Sequence, residues 1–92
     1  MIKAGIIGGA GYTAGELIRI LLNHPHVEID FVYSTSNAGN PVYKVHEDLV
    51  GSTDLVFSDN VNTGVDAVFL CLGHGNSTAF LEQHDFTEKT II

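Results

Sequence analysis

Ala4-Gly5-Ile6-Ile7-Gly8-Gly9-Ala10-Gly11-Tyr12-Thr13-Ala14-Gly15-Glu16-Leu17 decides how this chain folds. The run from Ile2 to Ile7 is short and nearly all apolar, the signature of a strand buried on both faces of a parallel sheet. It stops in glycines, and a helical pattern follows at once. Ala14, Leu17, Ile18, Leu21 and Leu22 stand at i, i+3, i+4, i+7 and i+8, one apolar stripe for packing on a sheet. Glu16 and Arg19 fall on the polar side, with Glu16 expected in the first turn, where the helix dipole favours an acid. Asn23-His24-Pro25 ends the helix, because the residue before a proline resists the α region.

Strand, glycine turn and helix together open a dinucleotide-binding βαβ unit. Gly8 and Gly9 let the chain turn at the strand end. Gly11 leaves room for a pyrophosphate against the backbone, and Ala14 or Gly15 keeps the helix close to the strand. Free amides and the dipole at the helix start then favour an anion. Two registers fit, Gly9-x-Gly11-x-x-Ala14 and Gly8-x-x-Gly11-x-x-Ala14. Glycine turns also join strands to helices where no ligand binds, so the position between strand and helix carries the reading.

Val27-Glu28-Ile29-Asp30-Phe31-Val32-Tyr33-Ser34 reads as strand 2, alternating at first and then apolar. An acid at the end of this strand holds the ribose 2′-hydroxyl of NAD in such folds. Here the end is Ser34-Thr35-Ser36-Asn37, and Asp30 lies too early to substitute. Hydroxyls and amides can donate to a 2′-phosphate and no carboxylate repels it, so NADP is the expected cofactor, although no arginine follows at once to clamp the phosphate. Ala38-Gly39-Asn40-Pro41 is a loop. Val42 to Val50 reads as a short helix or an irregular crossover. Asp54-Leu55-Val56-Phe57-Ser58 is expected to form strand 3, and Val65-Asp66-Ala67-Val68-Phe69-Leu70-Cys71-Leu72 strand 4. Gly73 to Ser77 follows as its C-terminal loop, and a helix to about His84 after a cap at Asn76, Ser77 or Thr78. Thr90-Ile91-Ile92 starts a fifth strand, so the domain, residues 1–92, is expected to be the opening part of a longer fold.

Alternating strands and crossovers predict an α/β fold with a doubly wound parallel sheet in the order 3-2-1-4-5. Strands 1 and 4 are then neighbours at the switch point, and the loops from Gly8 to Gly11 and from Gly73 to Ser77 face one crevice. The 92 residues carry 11 acids and 4 bases, a formal net charge of -7, and Lys3, Arg19, Lys44 and Lys89 are scattered. That excludes a basic face for nucleic acid. No apolar run approaches the ~20 residues of a membrane span. The one cysteine, Cys71, permits no internal disulfide and suits a reducing cytoplasm. Lying in Phe69-Leu70-Cys71-Leu72, it is expected to pack in the core and not to act as a nucleophile. His24 and His26 flank a proline and read as turn residues, with no metal expected. His74 is a local loop residue or a contact to cofactor or substrate, and Asp66 sits at the solvent end of its strand.

Gly8 to Leu17, His24-Pro25-His26-Val27-Glu28-Ile29, Ser36-Asn37-Ala38-Gly39 and Asp66 to Ser77 together resemble N-acetyl-gamma-glutamyl-phosphate reductases, over essentially the whole chain and in order. The resemblance implies a Rossmann-like domain of a cytoplasmic enzyme of arginine biosynthesis, which reduces an acyl-glutamyl phosphate to the semialdehyde with NADPH. It implies pyrophosphate contacts at Gly8, Gly11, Tyr12, Thr13 and Ala14. Ser34 and Ser36 would serve the adenosine ribose, and Leu72, His74, Gly75 and Ser77 the nicotinamide side. The family's catalytic cysteine and histidine match no position here, so no catalytic residue is expected, and the family associates into homo-oligomers largely through its second domain. Two departures stand out: Ala14-Gly15 inverts a common Gly-Ala order, and Gly73 replaces a frequent proline. Aspartate-semialdehyde dehydrogenases share the glycine turn but not the combined Glu16-Leu17 and His74-Gly75-Asn76-Ser77 blocks. A non-catalytic NADP-sensing module is the other alternative.

Overall fold

The computed structural model describes residues 2–51, 53–71 and 90–91. Its elements are β1 (Ile2–Ile7), α1 (Tyr12–Leu22), β2 (Val27–Tyr33), two single 3-10 turns (Val42–Lys44 and Glu47–Leu49), β3 (Ala67–Leu70) and β4 (Thr90–Ile91). The sheet runs β2-β1-β3-β4, every pairing parallel. Parallel neighbours need crossovers, and α1 supplies the first.

Two apolar clusters lie on the sheet's faces, because successive strand residues alternate between them. Ile6 and Val32 join Ala14, Ile18, Leu21, Val42, Leu49 and Phe57, while Ile7 and Phe31 join Val65 and Val68. The helical stripe is as expected: Ala14, Ile18 and Leu21 are buried, with Leu17 and Leu22 packed partly against the same cluster. The change of pattern in β2 has a cause in the ladder. Ala4 pairs with Ile29 but Gly5 pairs with Phe31, so Asp30 is the extra residue of an irregularity. Gly5 is needed there, since a Cβ would overlap the Phe31 ring.

Several boundaries differ from the sequence expectation. Glu16 is not in the first turn, because α1 starts at Tyr12; one turn further on it meets Arg19 at 2.6 Å in an exposed pair. Such pairs contribute little to stability. Strand 2 ends at Tyr33, and the Ser34 amide turns away to the Ser58 carbonyl (3.0 Å). Asp54 to Ser58 is no strand. It makes two isolated bridges, Ser58 parallel to Tyr33 and Val56 antiparallel to Pro41. Its backbone is divided between two partners: Ser58 donates to the Val32 carbonyl at 2.9 Å, but Phe57 donates to Asn40 at 2.9 Å and Leu55 accepts from Val42 at 2.9 Å. A ladder along β2 cannot extend when alternate groups are bound to the preceding loop. The expected order survives in space, with strand 3 reduced to one bridge on the outer edge of β2.

β3 is also shorter than expected, since it begins at Ala67. The Asp66 carboxylate accepts from the Lys3 amide at 2.9 Å while the Asp66 amide donates to the Lys3 carbonyl at 2.8 Å, which closes the end of the ladder next to solvent. Leu72, the loop from Gly73 to Ser77 and the helix expected after it lie outside the described residues. Among the described residues no helix is long and apolar enough to cross a membrane.

Candidate nucleotide site

The site starts where β1 runs out. Gly8 has φ 79°, left-handed backbone that a side chain would strain. This conformation turns the chain so that the amides of Gly8 and Gly9 both donate to the Tyr33 carbonyl, at 3.1 and 2.9 Å. The turn is thereby fastened to the end of β2. Gly9 is a packing glycine: a Cβ would overlap the Val32 side chain and press on Phe57. Gly11 is different. Its backbone is extended (φ -75°, ψ 162°), and a Cβ there would meet only the Gly8 carbonyl, at 3.8 Å. Of the two registers, Gly8, Gly11 and Ala14 therefore take the roles of turn, open cradle and helix contact; Ala14 is fully buried among Ile6, Ile18 and Val32.

Gly11 is the N-cap of α1 and its amide donates to the Gly8 carbonyl at 3.3 Å, while Gly15 donates back to Gly11 at 3.1 Å. The amides of Ala10, Tyr12, Thr13 and Ala14 have no acceptor among the described residues. These are the donors that a helix start leaves over, and no acid occupies the first turn to use them. Beside them lies a cleft of about 300 Å³ lined by Gly8, Ala10, Gly11, Tyr33, Ser34, Thr35, Ser36 and Cys71, at the small end of the ligand-pocket range. No carboxylate lines it. Asn37 donates its side-chain amide to both Ser34 Oγ (3.4 Å) and Ser36 Oγ (3.3 Å), and neither hydroxyl donates to a described residue. Both protons thus remain available to an acceptor in the cleft. Leftover amides, an unfilled space over Gly11 and free hydroxyl donors fit a phosphorylated dinucleotide.

The structure therefore brings together Gly8, Gly11, Ser34 and Ser36. Tyr12 and Thr13 are exposed at the helix start but do not line the cleft, and the side chain of Ala14 faces the core. What these three can offer is backbone amide. Leu72, His74, Gly75 and Ser77 lie outside the described residues.

Three features add to the sequence expectation. Thr35 and Asn37 belong to the β2 end, one lining the cleft and one orienting the serines. Cys71 packs partly against the core, as expected, but also lines the cleft. Burial pushes its thiol pKa up, so the thiolate is disfavoured. The third is His46, only 8 % exposed, which bonds to the Gly9 carbonyl and packs on Gly15. Gly15, the alternative to Ala14 for keeping the helix near the strand, makes room for this ring, and Ala14 makes the helix contact. His24 and His26 form a local turn, with the His26 amide donating to His24 Nδ1 at 3.0 Å. Among the described residues no group of three potential ligands could hold a metal ion.

The sequence model of the family described as semialdehyde dehydrogenase, NAD binding domain, matches residues 3–92. A protein of Christiangramia forsetii named N-acetyl-gamma-glutamyl-phosphate reductase is 62 % identical over 92 residues, all of this chain and 29 % of that protein. One of the same name from Flavobacterium johnsoniae is 58 % identical over 92 residues, 28 % of its length. The chain thus spans less than a third of the curated relatives it matches. Among solved structures, aspartate semialdehyde dehydrogenase with NADP from Candida albicans superposes with a TM-score of 0.71 at 24 % identity, covering 90 % of this chain and 26 % of that one. At that identity it shows the fold alone, an α/β parallel sheet.

Proposed function

The chain belongs to the family of semialdehyde dehydrogenase NAD-binding domains, and on that premise we propose that it is the NADP-binding part of a reductase acting on an N-acyl-glutamyl phosphate. The reaction takes acyl phosphate, NADPH and a proton to semialdehyde, inorganic phosphate and NADP⁺. What carries the reading is the cleft itself: open amides at the start of α1, beside a β2 end that offers Ser34, Thr35 and Ser36 and no acid. The relatives' shared name supports the substrate class, and the NADP that accompanies the Candida albicans enzyme supports the choice of dinucleotide.

When bound, the cofactor supplies the hydride. This chain's residues bind and orient it. The amides of Ala10, Tyr12, Thr13 and Ala14 take the pyrophosphate at the positive end of α1, and the hydroxyls of Ser34 and Ser36 donate to the 2′-phosphate. Gly11 lets the diphosphate reach the backbone. Leu72, His74, Gly75 and Ser77 serve the nicotinamide half. The 92 residues form one cofactor-binding domain of a cytoplasmic homo-oligomer. Cys71, with its raised thiol pKa, is not the acyl acceptor.

The test uses the full-length protein that contains this chain. N-acetyl-glutamate semialdehyde with phosphate should reduce NADP⁺ far faster than NAD⁺, and aspartate semialdehyde should be a poor substrate. Equal or better turnover of aspartate semialdehyde would replace the substrate, and NAD⁺ as the better acceptor would replace the cofactor.

A further inference from the structure

His46 lies between the two 3-10 turns, 37 positions along the chain from the residue it touches. Its Nε2 is 2.6 Å from the Gly9 carbonyl oxygen. A carbonyl has no proton to give, so Nε2 carries the hydrogen and donates it. The ring lies on Gly15, where a Cβ would overlap it, and against Phe57, with centroids 6.2 Å apart and planes at 57°. Backbone bonds from the His46 amide to Val42 (3.0 Å) and from Leu49 to the His46 carbonyl (2.9 Å) fix the segment that carries it. The imidazole is held on several sides and its hydrogen bond is buried.

The consequence lies on the other edge of the same peptide. The Gly9 carbonyl and the Ala10 N–H belong to one planar unit, and the described chain has no cis bonds. In a trans peptide those two groups point in opposite directions. Anchoring the carbonyl on His46 therefore aims the Ala10 N–H away from it. Ala10 lines the cleft, and its amide has no acceptor among the described residues. Without an anchor this unit would rotate easily, because glycine at position 9 places few limits on its own torsions.

We propose that His46 is a positioning residue for the phosphate turn: it fixes the Gly9–Ala10 peptide so that the Ala10 N–H faces the pyrophosphate. This deepens the NADP reading and rests on it. The ligand contact is the Ala10 amide; His46 acts through it and touches no ligand.

The experiment compares two ligands on the full-length protein. NADPH carries the pyrophosphate, whereas adenosine 2′-monophosphate keeps the base, ribose and 2′-phosphate without it. His46→Leu keeps bulk but removes the donor, and His46→Gln restores a donor of similar reach. His46→Leu should weaken NADPH binding about tenfold or more, the worth of one hydrogen bond to a charged group. Adenosine 2′-monophosphate should bind as in the wild type, and His46→Gln should recover most of the NADPH affinity. In the wild type, residue-level hydrogen exchange should show the Ala10 amide slowing on saturation with NADPH. Unchanged NADPH affinity in His46→Leu, an equal loss for both ligands, or an Ala10 amide indifferent to NADPH each overturns the proposal. If His46→Leu does not fold, the Ala10 exchange in the wild type decides. A wild type that binds neither ligand rejects the cofactor reading itself, and the role of His46 with it.

Discussion

Gly11→Val separates the site from the fold. The position has φ -75° and ψ 162°, which valine adopts without strain, and the nearest atom to a new Cβ is the Gly8 carbonyl oxygen at 3.8 Å. The new Cβ therefore meets no protein atom that must move. As the N-cap of α1, Gly11 contributes no side-chain hydrogen bond that could be lost, so the stability cost is about 1 kcal/mol or less. Binding is another matter. The isopropyl group occupies the space through which a diphosphate reaches the amides of Ala10, Tyr12 and Thr13. Losing two hydrogen bonds to a charged group costs about 3–6 kcal/mol, or two to four decades in Kd. Gly9→Ala is the contrasting control, because its Cβ overlaps Val32; overpacking of that kind costs about 1–3 kcal/mol of stability. The assay is NADPH fluorescence titration beside urea unfolding, both on the full-length protein. A Gly11→Val protein that folds normally and binds NADPH as the wild type does would remove the pyrophosphate from this turn. One that unfolds would refute the claim that the space over Gly11 is open.

Ser34→Asp places a carboxylate where the 2′-phosphate is assigned. It should cost about one to two decades in NADPH affinity by like-charge repulsion and improve NADH relative to it; selectivity measured by competitive titration that does not move would put the 2′-phosphate elsewhere. Burial raises the Cys71 thiol pKa, so peptide-level mass spectrometry should find it slow to alkylate at neutral pH. The rate should climb only above the ordinary thiol range, and NADPH should slow it because Cys71 lines the cleft. The sign for stability follows: a folded pKa above the unfolded one contributes stability below the unfolded value, and this is lost as pH rises through the folded one. Fast alkylation at neutral pH that ignores NADPH would contradict both the burial and the placement.

The parts of the fold that are legible in sequence are those with one local cause. β1, α1 and the apolar stripe follow from hydrophobic period and glycine position, and the neighbour order follows from right-handed crossovers. Asp54 to Ser58 has the composition of a strand, but its hydrogen bonds are shared with Asn40 and Val42, which no periodicity reveals. Glu16 falls just past the first turn, because α1 already starts at Tyr12. At the site, Gly8 is readable because its left-handed backbone is one that only glycine adopts cheaply, and Gly11 because a missing side chain leaves the space over the turn open. Gly15 is readable as a close approach but not as an approach to His46.

That last gap follows from what the turn has to do. Its carbonyls and amides cannot all face a ligand; those that do not must be held by protein, or the turn has no fixed shape. Gly8 and Gly9 give their amides to Tyr33, Gly11 gives its amide to Gly8, and the Gly9 carbonyl accepts from His46. The partners come from the end of β2 and from an irregular segment beyond it, so they are distant in sequence and unmarked by spacing. The glycine motif encodes where a phosphate can approach. The residues that make the approach directional bind the other side of the same peptides, where a side-chain donor needs only reach and a buried seat. A search for such donors therefore has to begin from the carbonyls that the turn sends away from its cleft.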